Sequence, residues 1–244
     1  MRALVVSDIH ANYSAFEAVI EDAAGEFDAV WCLGDVVGYG PDPNACVELL
    51  SEQPNLLCVL GNHDVAALGR MPLESFNGDA RRSLLWQERV LSASSMAFLE
   101  TLPQEAQGGD HVTLVHGSPR DPVWEYILNT LAARLNFEAF KTDFCFVGHT
   151  HVQSIFRLDP KKDRVSLDIP RVGMTLQLSG RAILNPGSVG QPRDRDPRAA
   201  YAIFDTEDLT WEPQRVEYDI ASVQARIRES NLPEKHALRL AEGW

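Results

Sequence analysis

The chain has no apolar run long enough to span a bilayer. The run after Met1 and Arg2 is only Ala3-Leu4-Val5-Val6 before it meets Asp8. Such a run is also too short for the core of a signal peptide. We therefore expect a cytoplasmic protein that does not bind membranes.

Cysteine is scarce and lacks the spacing of a metal or redox motif. Four cysteines occur in 244 residues, and no CxxC pair is present. Cys32, Cys58 and Cys145 stand in apolar, strand-like runs, and Cys46 stands in a helix-like one. The pattern predicts reduced, buried cysteines and disfavours a zinc–thiolate site.

Basic residues are in deficit. The formal net charge is -13, with 35 acidic residues against 22 lysines and arginines, and there is no basic stripe. This balance repels polyanions, so we expect no long nucleic acid as a partner. Most of the acidic residues are explained as solvated surface charge.

Repeats, low-complexity segments and Gly/Ser-rich linkers are absent as well. With 45% apolar and 23% charged residues, the composition is that of an ordinary globular protein. We predict a single domain over residues 1–244, which could form a homo-oligomer. It has a helical flank at about 74–102 and a C-terminal helix capped by Asp219, followed by a polar tail to 244.

The pattern of hydrophobic residues differs between the two halves of the chain. Up to His151, apolar runs alternate with helix-like stretches, which indicates βαβ units. After His151, six short strand-like runs favour antiparallel or mixed pairing. The predicted strands before residue 151 are 2–7, 29–33, 56–60, 112–115 and 144–147, and the predicted helices are 13–24, 43–52, 79–91, 94–102 and 123–140.

Histidine placement is the most informative feature of the sequence. His111 and His236 have no special context and are predicted to lie on the surface. Five of the seven histidines instead follow predicted strands beside Gly, Asp or Asn, at the positions where α/β folds build their sites. These five are His10, His63, His116, His149 and His151.

Oxygen donors accompany these histidines. In an extended segment, residues i and i+2 point to the same side, so Asp8 and His10 can converge, as can His149 and His151. Asp35 and Asn62 follow glycines at two further strand ends. The complete set of candidate ligands is Asp8, His10, Asp35, Asn62, His116, His149 and His151.

Seven ligands exceed the four of one tetrahedral zinc and suit two metal ions, with a carboxylate such as Asp35 as the bridge. Mixed nitrogen and oxygen ligation fits Mn, Fe, Zn, Co or Ni, with Mn or Zn favoured, and disfavours Mg or Ca. Each fragment alone is more often a polar turn than a ligand pair. Their occurrence together at five strand ends favours the metal site.

The ordered motifs resemble the calcineurin-like metallophosphoesterase superfamily. They are Asp8-x-His10, Gly34-Asp35, Gly61-Asn62-His63-Asp64, His116-Gly117 and Gly148-His149-Thr150-His151. The later run Asn185-Pro186-Gly187-Ser188 resembles the small bacterial and archaeal phosphodiesterase branch. The resemblance implies an α/β fold in which two mixed β-sheets pack as a sandwich flanked by helices.

The same resemblance implies how the site residues divide their work. Asp8, His10, Asp35 and His151 would hold one ion, and Asp35, Asn62, His116 and His149 would hold the other. Hydroxide on the metals would attack phosphorus, and His63 would protonate the leaving group. The implied function is two-metal-dependent hydrolysis of a small phosphoester, with phosphodiesterase the first choice.

The run after Asp35 departs from the protein Ser/Thr phosphatase branch. Gly38 and Tyr39 replace the acid and the phosphate-clamping arginine of that branch, which disfavours a phosphoprotein substrate and leaves the orientation of His63 without an explanation. Asn12, Tyr39 and Arg193 are candidate substrate contacts. Arg193 is the best anion contact among them, because a guanidinium can clamp phosphate at two points.

Three other functions compete with this hypothesis. A non-catalytic metal-binding scaffold would be expected to lose ligands or the proton donor, whereas every position is filled here. A nuclease or nucleotide phosphatase could use the same metal pair, and the acidic balance argues only against long nucleic acid. A metallo-β-lactamase-type hydrolase would need an HxHxDH run, which is absent.

Overall fold

The computed structural model describes residues 1–244 and contains twelve strands and eight α-helices. The strands are β1 Arg2–Val6, β2 Ala29–Cys32, β3 Leu57–Cys58, β4 Glu105–Gly108, β5 Val112–Val115, β6 Phe144–Phe146, β7 Ser154–Asp159, β8 Arg164–Asp168, β9 Leu176–Gln177, β10 Arg181–Asn185, β11 Ala199–Asp205 and β12 Thr210–Val216. The helices are α1 Tyr13–Asp22, α2 Pro43–Ser51, α3 Asn62–Ala67, α4 Gly78–Val90, α5 Ala93–Glu100, α6 Thr130–Asn136, α7 Ile220–Glu229 and α8 Glu234–Glu242. A 3-10 helix covers Leu73–Ser75.

The strands form two mixed sheets of six strands each, as predicted. The first has the order β3-β2-β1-β11-β12-β9 and the second has the order β4-β5-β6-β10-β7-β8. Strands β1, β2 and β3 are parallel, and so are β5, β6 and β10. All other pairings are antiparallel. The parallel strands bring the ends of β1, β2 and β3 to one edge.

An aromatic core joins the two sheets. Trp31 of the first sheet lies 5.9 Å from Phe204, ring centroid to ring centroid, and Phe204 lies 5.0 Å from Phe146 of the second sheet. Trp211 lies 4.8 Å from Phe146. Because large aromatic side chains bury 150–250 Å² each, this cluster fixes the separation and the relative rotation of the sheets.

Asparagine, serine and aspartate side chains fix where the helices begin. Ser92 accepts a hydrogen bond from Ser95 N at the start of α5. Asp219 accepts one from Ser222 N at the start of α7, as predicted. At the start of α4, Asn77 accepts from the backbone nitrogens of Asp79 and Ala80. Asp79 therefore lies inside the first turn.

Three elements differ from the sequence prediction. The predicted helix 123–140 is confined to α6, because the chain before Asn129 turns toward the ligand histidines: His149 Nε2 lies 3.1 Å from the carbonyl oxygen of Trp124. The structure adds strand β4 and helix α3, which are too short to show a periodic pattern.

The longest helix, α4, has 13 residues, and no helix is long and apolar enough to cross a bilayer.

The predicted polar tail after α7 is instead the packed helix α8. Ala237 and Leu240 are buried against Val223 and Ile227 of α7. His236 is also buried, so its predicted surface position is wrong, whereas His111 is half-exposed as expected. The apolar positions of α8 are too few among its charges for the sequence to show that it packs.

Leu240→Ala is expected to lower the free energy of unfolding by about 2–5 kcal/mol, because it empties a buried site. Leu238→Ala is the control in the same helix, since Leu238 is 51% exposed, and it should change stability by less than about 0.5 kcal/mol. Urea unfolding of the two variants measures the difference. Equal, small effects would contradict the packing of α8.

Candidate metal centre

The ends of five strands meet where the two sheets come together. Asp8 follows β1, Asp35 follows β2, and Asn62 opens α3 just after β3. On the second sheet, His116 follows β5, and His149 and His151 follow β6. All seven predicted ligands are buried.

Left-handed turns, rather than extended backbone, aim these side chains. The expectation that i and i+2 converge through an extended segment is therefore wrong, and left-handed residues bend the chain after β1, β2 and β6. Residues other than glycine seldom adopt a positive φ, and such residues often cluster at functional sites. Five of the seven candidate ligands have φ between 50° and 65°: Asp8, His10, Asp35, His149 and His151.

The first donor group consists of Asp8, His10 and His151. His10 Nε2 lies 3.2 Å from His151 Nε2. Asp8 Oδ1 lies 3.3 Å from His151 Nε2 and 3.9 Å from His10 Nε2. Three donor atoms from two sheets thus converge on one point.

The second donor group consists of Asp35, His116 and His149. His116 Nε2 lies 3.1 Å from His149 Nδ1, and it lies equally close, 3.1 Å, to Asn62 Oδ1. His149 and His151 therefore lie in different candidate groups.

Asp35 stands between the two groups. Its Oδ2 atom is 3.6 Å from His10 Nε2 and 3.4 Å from His116 Nε2. This oxygen is buried and has no hydrogen-bond partner, while Oδ1 accepts the backbone hydrogen of His63 at 2.9 Å. Asp35 faces both groups and also belongs to a third candidate group with His10 and His63, so it is placed to bridge two cations.

The outer nitrogens of the histidines fix which lone pairs face inward. A backbone carbonyl oxygen can only accept a hydrogen bond, so each ring nitrogen that lies against one carries a hydrogen and leaves the opposite nitrogen free to bind a cation. Such outer contacts are 2.6–3.1 Å long for all four ligand histidines: His10 with Val37, His116 with Leu33, His149 with Trp124 and His151 with Gln191. The inward-facing nitrogen lone pairs of these histidines and the unpaired oxygen of Asp35 together form a donor set that suits metal ions.

The pKa shifts of these buried side chains agree with a metal-binding role. Burial alone would lower the pKa of His116, but the Asp35 carboxylate raises it to about 9. His116 in turn holds the pKa of Asp35 well below its usual value in spite of burial. Burial raises the pKa of Asp8 to about 7. Burial also lowers the pKa of the remaining ligand histidines, His10, His149 and His151.

His63 lies beside the donor groups, and an aromatic cage holds its ring. The ring is 4.9 Å from His10, 4.5 Å from Tyr39 and 5.0 Å from Phe76, centroid to centroid. A Cβ atom at Gly38 would overlap the His63 ring. Glycine at this position therefore lets the loop press against the imidazole, which accounts for the orientation that the sequence left unexplained.

Gln87 of α4 fixes that loop. Gly38 N donates to Gln87 Oε1 at 2.6 Å, and Gln87 Nε2 donates to Gly40 O at 3.0 Å. Sequence reasoning missed Gln87 because it is separated from the loop by more than forty residues. A fully buried glutamine in an otherwise amphipathic helix is recognisable only after packing is known.

Asp64 and the Asn-Pro-Gly-Ser run support the ligand turns. Asp64 accepts hydrogen bonds from Val37 N at 3.0 Å and from Gly61 N at 2.9 Å, so it orients backbone. Asn185 Nδ2 donates to Gly148 O at 2.7 Å, and Ser188 Oγ donates to Asp8 O at 2.9 Å.

The three predicted substrate contacts lie in different settings. Asn12 caps α1, and its amide nitrogen donates to Gly190 O at 2.9 Å, so its contacts are structural and do not support a substrate role. Tyr39 is buried beside His10 and His63. Arg193 is half-buried, with Nη2 3.5 Å from Tyr39 Oη.

Comparisons with known proteins agree with this geometry. A family model described as the calcineurin-like phosphoesterase superfamily domain matches residues 1–209. The crystal structure of a metallophosphoesterase from Sphaerobacter thermophilus is 51% identical, with a TM-score of 0.91, over 100% of this chain and 99% of that one. An uncharacterized protein of Methanocaldococcus jannaschii is 37% identical over 98% of this chain and 97% of its own length.

A more distant relative carries a functional name. The symmetrical bis(5'-nucleosyl)-tetraphosphatase of Glaesserella parasuis is 28% identical over 146 residues, which are 57% of this chain and 52% of that protein.

Asp35→Asn is expected to lower the manganese content of the chain from about two ions to one or fewer, because the bridging carboxylate is lost. Elemental analysis after reloading and desalting gives the stoichiometry. Asp143→Asn is the matched control, since Asp143 also lies beside a histidine but is exposed, and it should keep the full content. Unchanged content in Asp35→Asn would contradict the bridge.

Metal binding by the stripped chain is expected to release about one proton from His116 at pH 7.5, because its pKa of about 9 keeps it protonated until a cation displaces the proton. Calorimetric titration with Mn²⁺ in two buffers of different ionisation enthalpy measures the release. His116→Gln should release fewer protons. A binding heat that does not depend on the buffer would contradict the ionisation of His116.

Proposed function

The chain belongs to the calcineurin-like phosphoesterase superfamily, and from this membership and its clustered His and Asp side chains we propose that it is a two-metal-dependent phosphodiesterase. The observation that carries the proposal is the position of Asp35 Oδ2, unpaired and buried between two donor groups. A structural carboxylate would be expected to have hydrogen-bond partners.

The protein supplies a fixed donor set and a neighbouring proton carrier. Two bound divalent ions would supply Lewis-acid polarisation of the phosphoryl group and activation of the attacking water. The buried ligand turns hold Asp8, Asp35 and the histidines before any substrate arrives, so little reorganisation is needed during the reaction.

His63 is the residue we assign to the leaving oxygen. It is the one histidine of this cluster without an outer carbonyl partner, and its Nδ1 atom is buried and unpaired. Burial lowers the pKa of His63 to about 4 in the free chain. An anionic phosphoester placed against the ring would raise that pKa again and let the ring carry the proton that the leaving group takes.

Preference for diesters follows from the side chains around His63. Tyr39 stands where the protein Ser/Thr phosphatase branch has a phosphate-clamping arginine, and its hydroxyl brings no positive charge. A phosphodiester carries one negative charge and a monoester two, so a site with one cation fewer suits the diester better.

Nucleotide-type phosphoesters are a second candidate, favoured by an aromatic rim. Tyr126 stacks on His149 with centroids 3.6 Å apart and is 41% exposed. Trp124 packs 5.2 Å from Phe76 on the same side. Exposed aromatic faces beside a phosphate site suit stacking on a base, and the relative from Glaesserella parasuis is named for a dinucleotide substrate.

The manganese-loaded chain is expected to hydrolyse bis-p-nitrophenyl phosphate faster than p-nitrophenyl phosphate, and both Asp35→Asn and His63→Ala should lower kcat. Asp35→Asn should lose metal and at least about 10²-fold in kcat, because the bridge is removed. His63→Ala should keep its metal. His111→Ala, at an exposed histidine, is the control and should leave kcat within twofold.

A comparison of leaving groups tests the proton-transfer role of His63. The kcat of His63→Ala should fall by about 10²–10⁴-fold for a phenyl ester, whose leaving group needs a proton, and by less for the p-nitrophenyl ester. Equal losses for the two esters would sink the role of His63 as proton donor and leave it a phosphate contact.

A further inference from the structure

Two half-buried arginines on neighbouring segments beside the candidate metal centre make no ion pair. Arg193 comes from the loop after Asn185-Pro186-Gly187-Ser188, and Arg239 comes from α8. Neither takes part in an ion pair, although the chain has 35 acidic residues and a net charge of -13. Asp8 faces Arg193 and Asp79 faces Arg239 only at longer range, so neither guanidinium group is paired with an acid inside the protein.

Two arginines of the adjoining elements β12 and α7 show the ordinary arrangement. Arg215 pairs with Asp194 and lies 3.7 Å from Asp196. Arg226 of α7 pairs with Asp42 at 3.0 Å. Arg215 and Arg226 are thus both paired with acids, unlike Arg193 and Arg239.

The contacts of Arg193 and Arg239 leave donors unused. Arg193 Nη2 reaches only the neutral oxygens of Tyr39 and Gln191, at 3.5 Å and 3.1 Å. Arg239 lies over Trp244, with 5.7 Å from its guanidinium carbon to the ring centroid. The Nε atoms of both arginines are buried and have no hydrogen-bond partner. Unpaired buried donors on charged groups are costly unless a ligand completes them.

The loop that carries Arg193 packs against the end of α8, which carries Arg239, because Arg195 N donates to Gly243 O at 2.7 Å. Burial lowers the pKa of Arg239, and the charge of Arg193 lowers it further. Repulsion between two like charges destabilises the protein without a ligand, and an anion bound by both arginines would offset it.

Tyr39 connects the arginine pair to the reacting groups. Its ring lies 4.5 Å from His63 and 4.6 Å from His10, and its hydroxyl faces Arg193. Across the same ring, His236 of α8 lies at 4.9 Å. The pair is thus one side chain away from the proposed proton donor, on the side of Tyr39 that faces α8.

We propose that Arg193 and Arg239 form a subsite for a second phosphoryl group of the substrate, distinct from the phosphoryl group that is hydrolysed. The inference rests on the proposed function, because it places the scissile phosphoryl group at the metal centre. Two guanidinium forks offer the planar, paired donors that phosphate oxygens accept. The substrate class is then a phosphoester or phosphoanhydride that carries a further phosphate close to the bond that is cleaved.

Binding of a matched pair of non-hydrolysable probes tests the subsite without turnover. Methylenediphosphonate has two phosphoryl groups and methylphosphonate has one, and equilibrium dialysis against the manganese-loaded chain at fixed free Mn²⁺ gives both affinities. The wild type is expected to bind the diphosphonate at least about tenfold more tightly. In Arg193→Gln and in Arg239→Gln, the ratio of the two affinities should fall below about threefold.

Arg195→Gln is the matched control, because it removes the same charge from an exposed arginine two residues from Arg193. It should keep the wild-type ratio. A ratio near one in the wild type, or an unchanged ratio in both Arg193→Gln and Arg239→Gln, would overturn the subsite. Turnover of bis-p-nitrophenyl phosphate by the same preparation separates the two proposals, because it reports on the metal centre and does not need the second phosphoryl group.

Thermal unfolding distinguishes a ligand site from a structural role. Without a ligand, Arg239→Gln should unfold at the same temperature as the wild type or higher, since it relieves the repulsion with Arg193. With saturating methylenediphosphonate, the wild type should gain more in melting temperature than the variant. A lower melting temperature of the variant without ligand, together with equal gains for both, would assign Arg239 to the fold instead.

Discussion

The buried carboxylate of Asp35 is the constraint around which the rest of the site is arranged. Its Oδ1 atom fixes the backbone of His63, and its unpaired Oδ2 atom faces His10 and His116. An uncompensated charge in a protein interior costs several kcal/mol, so the fold must bring cations or protons to it. In the metal-free chain the proton on His116 meets this need, and the same geometry makes that proton displaceable by metal.

Holding the donors around Asp35 requires backbone conformations that the chain would otherwise avoid. The left-handed residues after the strands cost about 1–3 kcal/mol each when glycine is absent. They persist because the turns bond to one another, as in the hydrogen bonds from Asp8 N to Gly34 O and from His10 N to Asp35 O, at 3.0 Å and 2.9 Å. The aromatic core between the sheets keeps these turns in contact. The strained backbone of the site therefore depends on the packing of the two sheets.

The sequence pointed to the candidate ligands that the fold brings together, but it did not point to the residues that support them, for a physical reason. Each ligand sits at the end of an apolar run, a signal local to a few residues, and so the sequence reveals strand, turn and donor together. The supports depend on packing between distant segments. In the sequence, Gln87 is one polar residue of an amphipathic helix, and His236 is predicted to lie on the surface of a charged tail. In the structure, Gln87 is buried against the Gly38–Gly40 loop, and His236 is buried against Tyr39.

The candidate metal ligands give a local sequence signal, whereas the residues proposed to select the substrate depend on long-range packing. The family model ends at residue 209, before α7 and α8, and every candidate metal ligand lies within it. Arg239 and His236 lie beyond it and reach the site only because α8 packs on α7. In the proposed arrangement, the sheets hold the candidate metal ligands and α8 carries Arg239 of the proposed subsite. A change that loosens the packing of Leu240 should therefore weaken binding through Arg239 and leave the candidate metal ligands in place.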